Sequence, residues 1–341
     1  MHITEGIIIG KYAVMYTGAG IALVGLGVLK MKKFVGDYPE KKPLLGMGGA
    51  LIFFISLIPI PAFTGTCSHP TGTPLVSILL GPSIGIGLTG VSLLLQAAFF
   101  AHGGFGTWGA NVLALGFFGC LFGWGAFRVA RKIGLPLWVA GFAGGLIGDI
   151  MVYAASGIIL ATTLVNGPSP QYSLTGYLAA IYAAYLPTQL PIAFGEMLVT
   201  GLALHYAFKQ RPEVLEELGI IRRKTDSRKG ITVTKVFLAV LSLSFPLIAT
   251  EGFAQQNKQT SISSVISAVA TDSSNGKGMA GMDEVVNERL AEAAGLPARD
   301  PYINTEAKGD LWNMLLLLGG GICGFIIGRW WHLLWGKRKG D

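Results

Sequence analysis

The chain has 341 residues, of which 51% are hydrophobic and only 13% are charged, and its mean hydropathy is +0.55. A soluble domain carries about 25% charged residues, so the composition excludes an ordinary water-soluble protein and indicates a polytopic protein in a lipid bilayer. The formal net charge of +7 comes from basic loops between apolar segments. No nucleic-acid-binding motif accompanies it, and we expect no nucleic-acid partner.

Apolar stretches long enough to cross a bilayer, which takes about 20 residues, predict an all-α fold with about seven to eight transmembrane helices. They fall at 12–30, 45–63, 75–101, 110–130, 135–165, 177–208, 233–250 and 311–335. Within 75–101, Gly81-Pro82 predicts a re-entrant or broken segment. A single crossing there would put Arg128 on the outer side, against the preference of basic residues for the cytoplasm.

Basic clusters follow several of these stretches and predict the orientation of the chain. The main members are Lys30, Lys32, Lys33, Lys41, Lys42, Arg128, Arg131, Lys132, Lys209, Arg211, Lys337, Arg338 and Lys339. We expect a multi-pass protein of the cell inner (plasma) membrane, with an external amino terminus and a cytoplasmic carboxyl terminus. The same topology puts His2 and His69 on the outer side.

The first two residues predict a metal chelate. The Met1 amine, the His2 amide nitrogen and the His2 Nδ1 atom can bind one ion in fused five- and six-membered rings, which leaves one position open for His69. Four nitrogens in a plane suit Ni²⁺ or Cu²⁺, and imidazole also suits cobalt. His2 is bulky and the first apolar stretch lacks a cleavage site, so we expect the Met1 amine to be unprocessed. Binding should weaken in acid, because the amine must lose its proton to coordinate.

Other polar residues of the apolar region are candidates for supporting the ligands or for lining an ion pathway: Glu5, Ser68, Gln96, His102, Asn111 and Gln189. Glu5 is either a partner of the ligands or a solvated carboxylate, and His102 is either structural or itself a ligand. Asp149 and Glu196 lie within apolar spans, where ionisable groups are functional hypotheses by default. Pairing with buried amides such as Gln96, Asn111 or Gln189 would instead make them structural.

The carboxyl-terminal third differs in character from the rest. After a cytoplasmic basic linker at 216–232, residues 233–341 predict a two-span module with an external polar loop at 251–310, in which Asp283 to Ala294 predicts a short helix. The chain has no GxxxxGK[ST] phosphate-binding loop and no pairing of a nucleophile with a base, so we do not expect an enzyme. A membrane-embedded metal enzyme using His69, His102 and Glu196, and a purely structural subunit, are the weaker alternatives.

Several motifs are spread along the first two thirds of the chain: Met1-His2-Ile3, Cys67-Ser68-His69-Pro70-Thr71-Gly72, Leu79-Leu80-Gly81-Pro82, His102-Gly103-Gly104 and Pro187-Thr188-Gln189-Leu190-Pro191. Together they resemble the CbiM/NikM family, the substrate-capturing membrane subunits of nickel and cobalt energy-coupling-factor (ECF) transporters. The resemblance covers about 1–215. Residues 233–341 look like the small N-type subunit, fused as in NikMN proteins, on the looser basis of architecture and Gly295-Leu296-Pro297-Ala298-Arg299.

The resemblance implies a metal site made of Met1, His2 and His69, and a transported Ni²⁺ or Co²⁺ ion with no organic cofactor. It also implies an EcfT-type coupling subunit (CbiQ/NikQ-like) and ATPase subunits (CbiO/NikO-like) on separate chains. The choice between nickel and cobalt stays open: the planar site and the fused module favour nickel modestly, while a cobalt importer supplying cobalamin biosynthesis is the alternative.

Overall fold

The computed structural model describes residues 2–57, 60–61, 67–100, 102–221, 282–300, 302 and 318. Regular structure in these residues is almost entirely helical. The helices are α1 (Gly10–Asp37), α2 (Lys42–Ile55), α3 (Thr73–Leu80), α4 (Pro82–Phe99), α5 (Trp108–Asn111), α6 (Cys120–Lys132), α7 (Leu137–Leu164), α8 (Leu174–Gln210), α9 (Pro212–Glu217) and α10 (Met282–Ala293).

Four short elements complete the described architecture. A 3₁₀ turn (Pro39–Lys41) precedes α2, and a π-helical segment (Val112–Gly119) joins α5 to α6 without a break. Two strands, β1 (Ile60–Pro61) and β2 (Cys67–Ser68), pair antiparallel, with Ile60 opposite Ser68 and Pro61 opposite Cys67. The prediction of an all-α fold therefore holds apart from this small hairpin.

Five helical segments of the described chain are long and apolar enough to cross a membrane: Gly10–Asp37, Pro82–Phe99, Trp108–Lys132, Leu137–Leu164 and Leu174–Gln210. They match five of the predicted spans. The predicted span at 45–63 contains α2, which has only 14 residues and is therefore about 21 Å long, shorter than the ~30 Å hydrocarbon core. The predicted spans at 233–250 and 311–335 lie outside the described residues, so the total of seven to eight stays a prediction.

The predicted break near 75–101 is present at Gly81. This residue adopts φ +90°, a conformation that favours glycine, and Pro82 follows at the first position of α4, where its missing N–H costs no hydrogen bond. The eight-residue α3 before the break is buried from Thr73 to Ile78 and packs against α6 and α7. A short helix and a full-length helix therefore replace one continuous span.

Basic residues and histidines lie at opposite ends of the helix bundle. Phe34 near the end of α1, Lys41 before α2 and Arg128 near the end of α6 line one cleft with Glu217 of α9. The Lys41 Nζ atom lies 3.1 Å from Glu217 Oε2. We call this the basic end. His2, His69 and His102 cluster at the start of α1 and the end of α4, and we call this the histidine end.

Part of the carboxyl-terminal third packs on the histidine end. The predicted short helix is present as α10, one residue earlier than expected at each end. It contacts α7 and α8, where Val286 and Leu290 join the core that contains Tyr177 and Ile181. The Tyr185 hydroxyl also donates a 2.7 Å hydrogen bond to Asn287 Oδ1, so α10 is fixed to the bundle by apolar and polar contacts.

Candidate metal centre

The amino-terminal arm, residues 2–9, lies inside the protein. His2 is 1% exposed, and Ile3 and Ile7 are completely buried. The Ile3 N–H donates to Asn111 Oδ1 at 2.8 Å, and the Ile3 carbonyl accepts from Asn111 Nδ2 at 3.2 Å and from the Thr107 hydroxyl at 2.7 Å. Apolar burial and these three hydrogen bonds hold the arm in one position, which fixes the backbone next to His2.

Glu5 fastens the same arm to the loop after His102. Its carboxylate is 3% exposed and accepts a 2.8 Å hydrogen bond from the Gly106 N–H. Gly104 and Gly106 lie so close to Glu5 that a Cβ atom on either would overlap the carboxylate. Glu5 is therefore not a solvated carboxylate, and its role as a partner of the metal ligands stays a prediction.

Three histidine rings meet at the end of this arm. The His2 and His102 ring centroids are 4.2 Å apart, and those of His102 and His69 are 5.0 Å apart. His69 is also buried, at 6% exposure. The structure thus brings together His2 and His69, which are distant in sequence, and places His102 against both rings.

Hydrogen bonds from α7 and α8 fix the loop that carries His69. The Tyr153 hydroxyl donates to the His69 carbonyl at 3.1 Å. The N–H groups of Thr71 and Gly72 donate to the Glu196 carboxylate at 2.9 and 3.0 Å. Sequence reasoning missed Tyr153 and the role of Glu196 in this loop. For Glu196, the sequence indicated only that an acidic residue lies within an apolar span. For Tyr153, the sequence contained no indication of a role.

The three buried amides proposed as supporting or pathway residues lie at different places in the bundle. Gln96 donates from Nε2 to the Ser56 hydroxyl at 2.6 Å and to the Phe53 carbonyl at 3.1 Å, which joins α4 to the end of α2. Asn111 binds the arm instead, so these hydrogen bonds of the two amides do not go to Asp149 or Glu196. Gln189 is buried on α8.

Two proposed site residues are not described in full. Met1 lies outside the described residues, and for Ser68 the structure describes only the backbone, in β2. Their roles as ligand and supporting residue stay predictions.

Burial favours the neutral form of the His2 and His102 rings. It lowers the pKa of His2 well below its ordinary value, and the neighbouring His102 lowers it further. Burial also lowers the pKa of His102 to about 4. Gln96 lies close enough to oppose this effect at His2, although the pair does not reach hydrogen-bond geometry. Neutral imidazoles keep a nitrogen lone pair available to a metal ion.

The His2 side chain is buried without a hydrogen-bond partner in the described part of the chain. Neither of its ring nitrogens has a hydrogen-bond partner among the described residues, whereas buried polar atoms normally have one. No group of three His, Cys, Asp or Glu side chains in the described ranges is arranged to hold a metal ion. A site here would need main-chain nitrogen donors as well, which is the arrangement predicted for Met1-His2.

Comparisons with known proteins agree with this description. Residues 2–214 match the CbiM family model, described as a cobalt uptake substrate-specific transmembrane region. The chain is 35% identical over 340 residues to the cobalt transport protein CbiM of Geobacter sulfurreducens, covering 99% of this chain and 91% of that one. It is 36% identical over 223 residues to the cobalt transport protein CbiM of Sorangium cellulosum, covering 65% of this chain and 97% of that protein.

A solved structure also resembles this fold. A crystal structure of a transition metal transporter superposes with a TM-score of 0.52 and 26% identity, covering 61% of this chain and 93% of that chain. The apolar helical bundle and its buried histidine cluster thus define a membrane component of a transition-metal transport system. The chain belongs to the CbiM family.

Proposed function

We propose that this chain captures one Co²⁺ or Ni²⁺ ion at the histidine end and serves as the substrate-specific component of an ATP-driven ECF transporter. The ligands are the Met1 amine, the His2 amide nitrogen, the His2 Nδ1 atom and a ring nitrogen of His69. The observation that carries the proposal is His2 itself: it is 1% exposed, it has no hydrogen-bond partner among the described residues, and its ring clusters with His102 and His69.

The arm geometry supports a chelate that uses the chain terminus. Asn111 and Thr107 hold the Ile3 peptide group, so His2, the residue before it, has little freedom in its buried position. A preorganised set of donors binds an ion with less loss of entropy. His69 is held separately through Tyr153 and Glu196, and both halves of the site are therefore positioned by rigid helices.

The identity of the transported metal ion is inferred from the chemistry of the ligands and from the family of the protein. Four planar nitrogens favour Ni²⁺, while the family description and the curated relatives name cobalt. We propose that both ions bind and that Co²⁺ is the transported ion. Coupling and ATP hydrolysis take place on separate chains, an EcfT-type subunit and ATPases. The histidine end faces outward from the inner membrane, and the basic end faces the cytoplasm.

Residues 233–341 act as a fused N-type module in this proposal. The Geobacter relative aligns over 340 residues and therefore extends beyond the region matched by the family model. The Arg299 N–H donates to the Glu5 carbonyl at 2.7 Å, so this part of the chain touches the metal-binding arm directly. The module accordingly helps to hold the arm in its metal-binding position.

The test is tight binding of Co²⁺ and of Ni²⁺ to the purified full-length protein, measured by calorimetry. Two residues added before Met1 should abolish it, because the Met1 nitrogen then becomes an amide; a single added residue would make His2 the third residue and build a different four-nitrogen chelate. His69→Ala should abolish it as well. His205→Ala, on α8 toward the basic end, is the matched control and should bind normally. Equal affinity in the extended protein would disprove the chelate.

A further inference from the structure

A cleft opens at the basic end of the bundle, at the opposite end from the three clustered histidines. Its volume is about 390 Å³, which lies within the range of ~300–1,000 Å³ that is typical of small-molecule sites. The ends of α1 and α6, the turn before α2 and the loop after α9 contribute to its walls. Its described lining contains two cations, Lys41 and Arg128, and one acid, Glu217, so one positive charge is in excess.

The two cations differ in their partners. The Lys41 Nζ atom lies 3.1 Å from Glu217 Oε2 and 4.3 Å from the centroid of the Tyr38 ring, and Lys41 is only 9% exposed. The Arg128 guanidinium carbon lies 5.1 Å from the centroid of the Trp124 ring. Arg128 is exposed, and it makes no salt bridge within the described chain. Arg128 is therefore the cation of this cleft that is available to an anion.

Aromatic and apolar side chains form the rest of the cleft. Phe34, Leu80 and Phe127 are among them. Tyr38 follows directly after the end of α1, and Trp124 lies about two turns before the end of α6. Both helices belong to segments long and apolar enough to span a membrane, and Trp and Tyr are enriched where such segments meet the headgroup layer. The cleft thus has the residue types of a site at the membrane–water boundary.

We propose that this cleft binds the phosphate group of an anionic phospholipid with a single phosphodiester charge, such as phosphatidylglycerol. The Arg128 guanidinium is the donor, because arginine binds phosphate oxygens in pairs while its flat face stacks on an aromatic ring. Basic pockets between transmembrane helices bind anionic headgroups in this way. The apolar lining is suited to the upper part of the lipid chains.

Charge and polarity favour a lipid over a soluble phosphate compound. One excess positive charge in the described lining matches one phosphodiester, whereas a nucleotide with several phosphates would need more cations. A free phosphate ion would leave the side chains of Phe34, Leu80 and Phe127 without an apolar partner. The cleft is separate from the proposed metal ligands, so its ligand does not depend on the identity of the transported ion.

The experiment uses the purified full-length protein in detergent, titrated with phosphatidylglycerol or with zwitterionic phosphatidylcholine and analysed by native mass spectrometry. We expect one phosphatidylglycerol per chain to bind in preference to phosphatidylcholine. Arg128→Ala should lower this affinity about fivefold, the contribution typical of one basic residue at a membrane surface, and Arg128→Lys should lower it less. Lys132→Ala is the matched control: it removes the same charge from an exposed position on α6 outside the lining, and it should bind as the wild-type protein does.

A change in the opposite direction is expected for Glu217→Gln. This substitution removes the acid that pairs with Lys41, so the charge of Lys41 becomes available and phosphatidylglycerol should bind more tightly. The Glu217 side chain is 58% exposed, and its replacement leaves the core intact. Arg128→Ala should keep tight Ni²⁺ binding at the histidine end, which would show that this variant is folded.

Four outcomes would overturn the proposal. Equal loss of affinity in Arg128→Ala and Lys132→Ala would mean that only diffuse surface charge attracts the lipid. Equal binding of phosphatidylglycerol and phosphatidylcholine would mean that no anionic headgroup is recognised. Displacement of the lipid by inorganic phosphate would identify a site for free anions. Unchanged lipid binding by Arg128→Ala, together with loss of co-purifying transporter subunits, would assign the cleft to a protein partner.

Discussion

His102 is the residue whose role the structure sharpens most. Its ring contacts both proposed histidine ligands, at centroid distances of 4.2 Å from His2 and 5.0 Å from His69. The main-chain N–H of His102 donates to the Gln96 carbonyl at 3.3 Å, and this hydrogen bond holds His102 at the end of α4. The predicted chelate already supplies four nitrogens without it. We therefore interpret His102 as a residue that positions the two ligand rings.

This interpretation predicts a partial effect of His102→Ala. Residues that orient metal ligands typically contribute about 10–100-fold to metal affinity, so Co²⁺ and Ni²⁺ affinity should fall by about that factor. Calorimetric titration of His102→Ala beside His69→Ala measures it. Complete loss of binding in both variants would make His102 a ligand, and unchanged affinity would remove it from the site.

At the scale of elements, small residues bring α7 and α8 into close contact. The four-residue spacing of Gly141 and Gly145 allows such an approach. Gly141 lies against Gly201 and Leu204 of α8, and Gly145 lies against Glu196 and Met197. The small-residue stripe of α7 therefore serves internal packing. On α1, by contrast, Gly18 and Gly25 have nothing within 4 Å of an added Cβ among the described residues.

Gly145→Ala should destabilise the protein because the methyl group has no space between α7 and α8. Overpacking of this kind costs about 1–3 kcal/mol, and we expect a lower midpoint of thermal unfolding in detergent. Gly18→Ala inserts the same methyl group into open space on α1, so its unfolding midpoint should stay within the range of a neutral surface change. Equal midpoints for the two variants would show that the helices separate easily at Gly145.

At the scale of the whole molecule, the carboxyl-terminal third and the metal-binding arm form one structure at the histidine end. Gly6 adopts φ +89° and lies against Arg299, where an added Cβ would be 2.6 Å from Arg299 Cβ. The Ser169 N–H donates to the Ala294 carbonyl at 3.0 Å, which ties the segment after α10 to the loop between α7 and α8. Residues almost 300 positions apart in sequence thereby hold the arm from outside.

Gly6→Ala should separate these two parts of the chain. We expect faster hydrogen exchange over residues 286–300 and weaker Co²⁺ binding, because the arm loses the hydrogen bond between Arg299 and Glu5. Gly10→Ala is a matched control: Gly10 also has a positive φ, +61°, but nothing lies within 4 Å of its added Cβ. If both variants change exchange equally, backbone strain rather than contact with Arg299 is responsible.

The sequence by itself determined the features that depend on local composition. Runs of apolar residues of spanning length predicted the long helices, since a membrane segment must satisfy its backbone hydrogen bonds internally. Gly81-Pro82 predicted the break between α3 and α4, because glycine permits the required φ and proline begins the next helix. Met1-His2 and His69 could be predicted as metal donors because chelation depends on atom types and short spacing, and that role stays a prediction.

Only the tertiary structure decided which distant residues meet. The partners of Glu196 are main-chain N–H groups of a loop more than 120 residues away, and any residue type supplies such a donor, so the sequence carries no mark of them. The same is true of Asn111 with Ile3 and of Arg299 with Glu5. Burial is decided in the same way: Asp149 is completely buried because helices pack around it, and no stretch of sequence contains that packing.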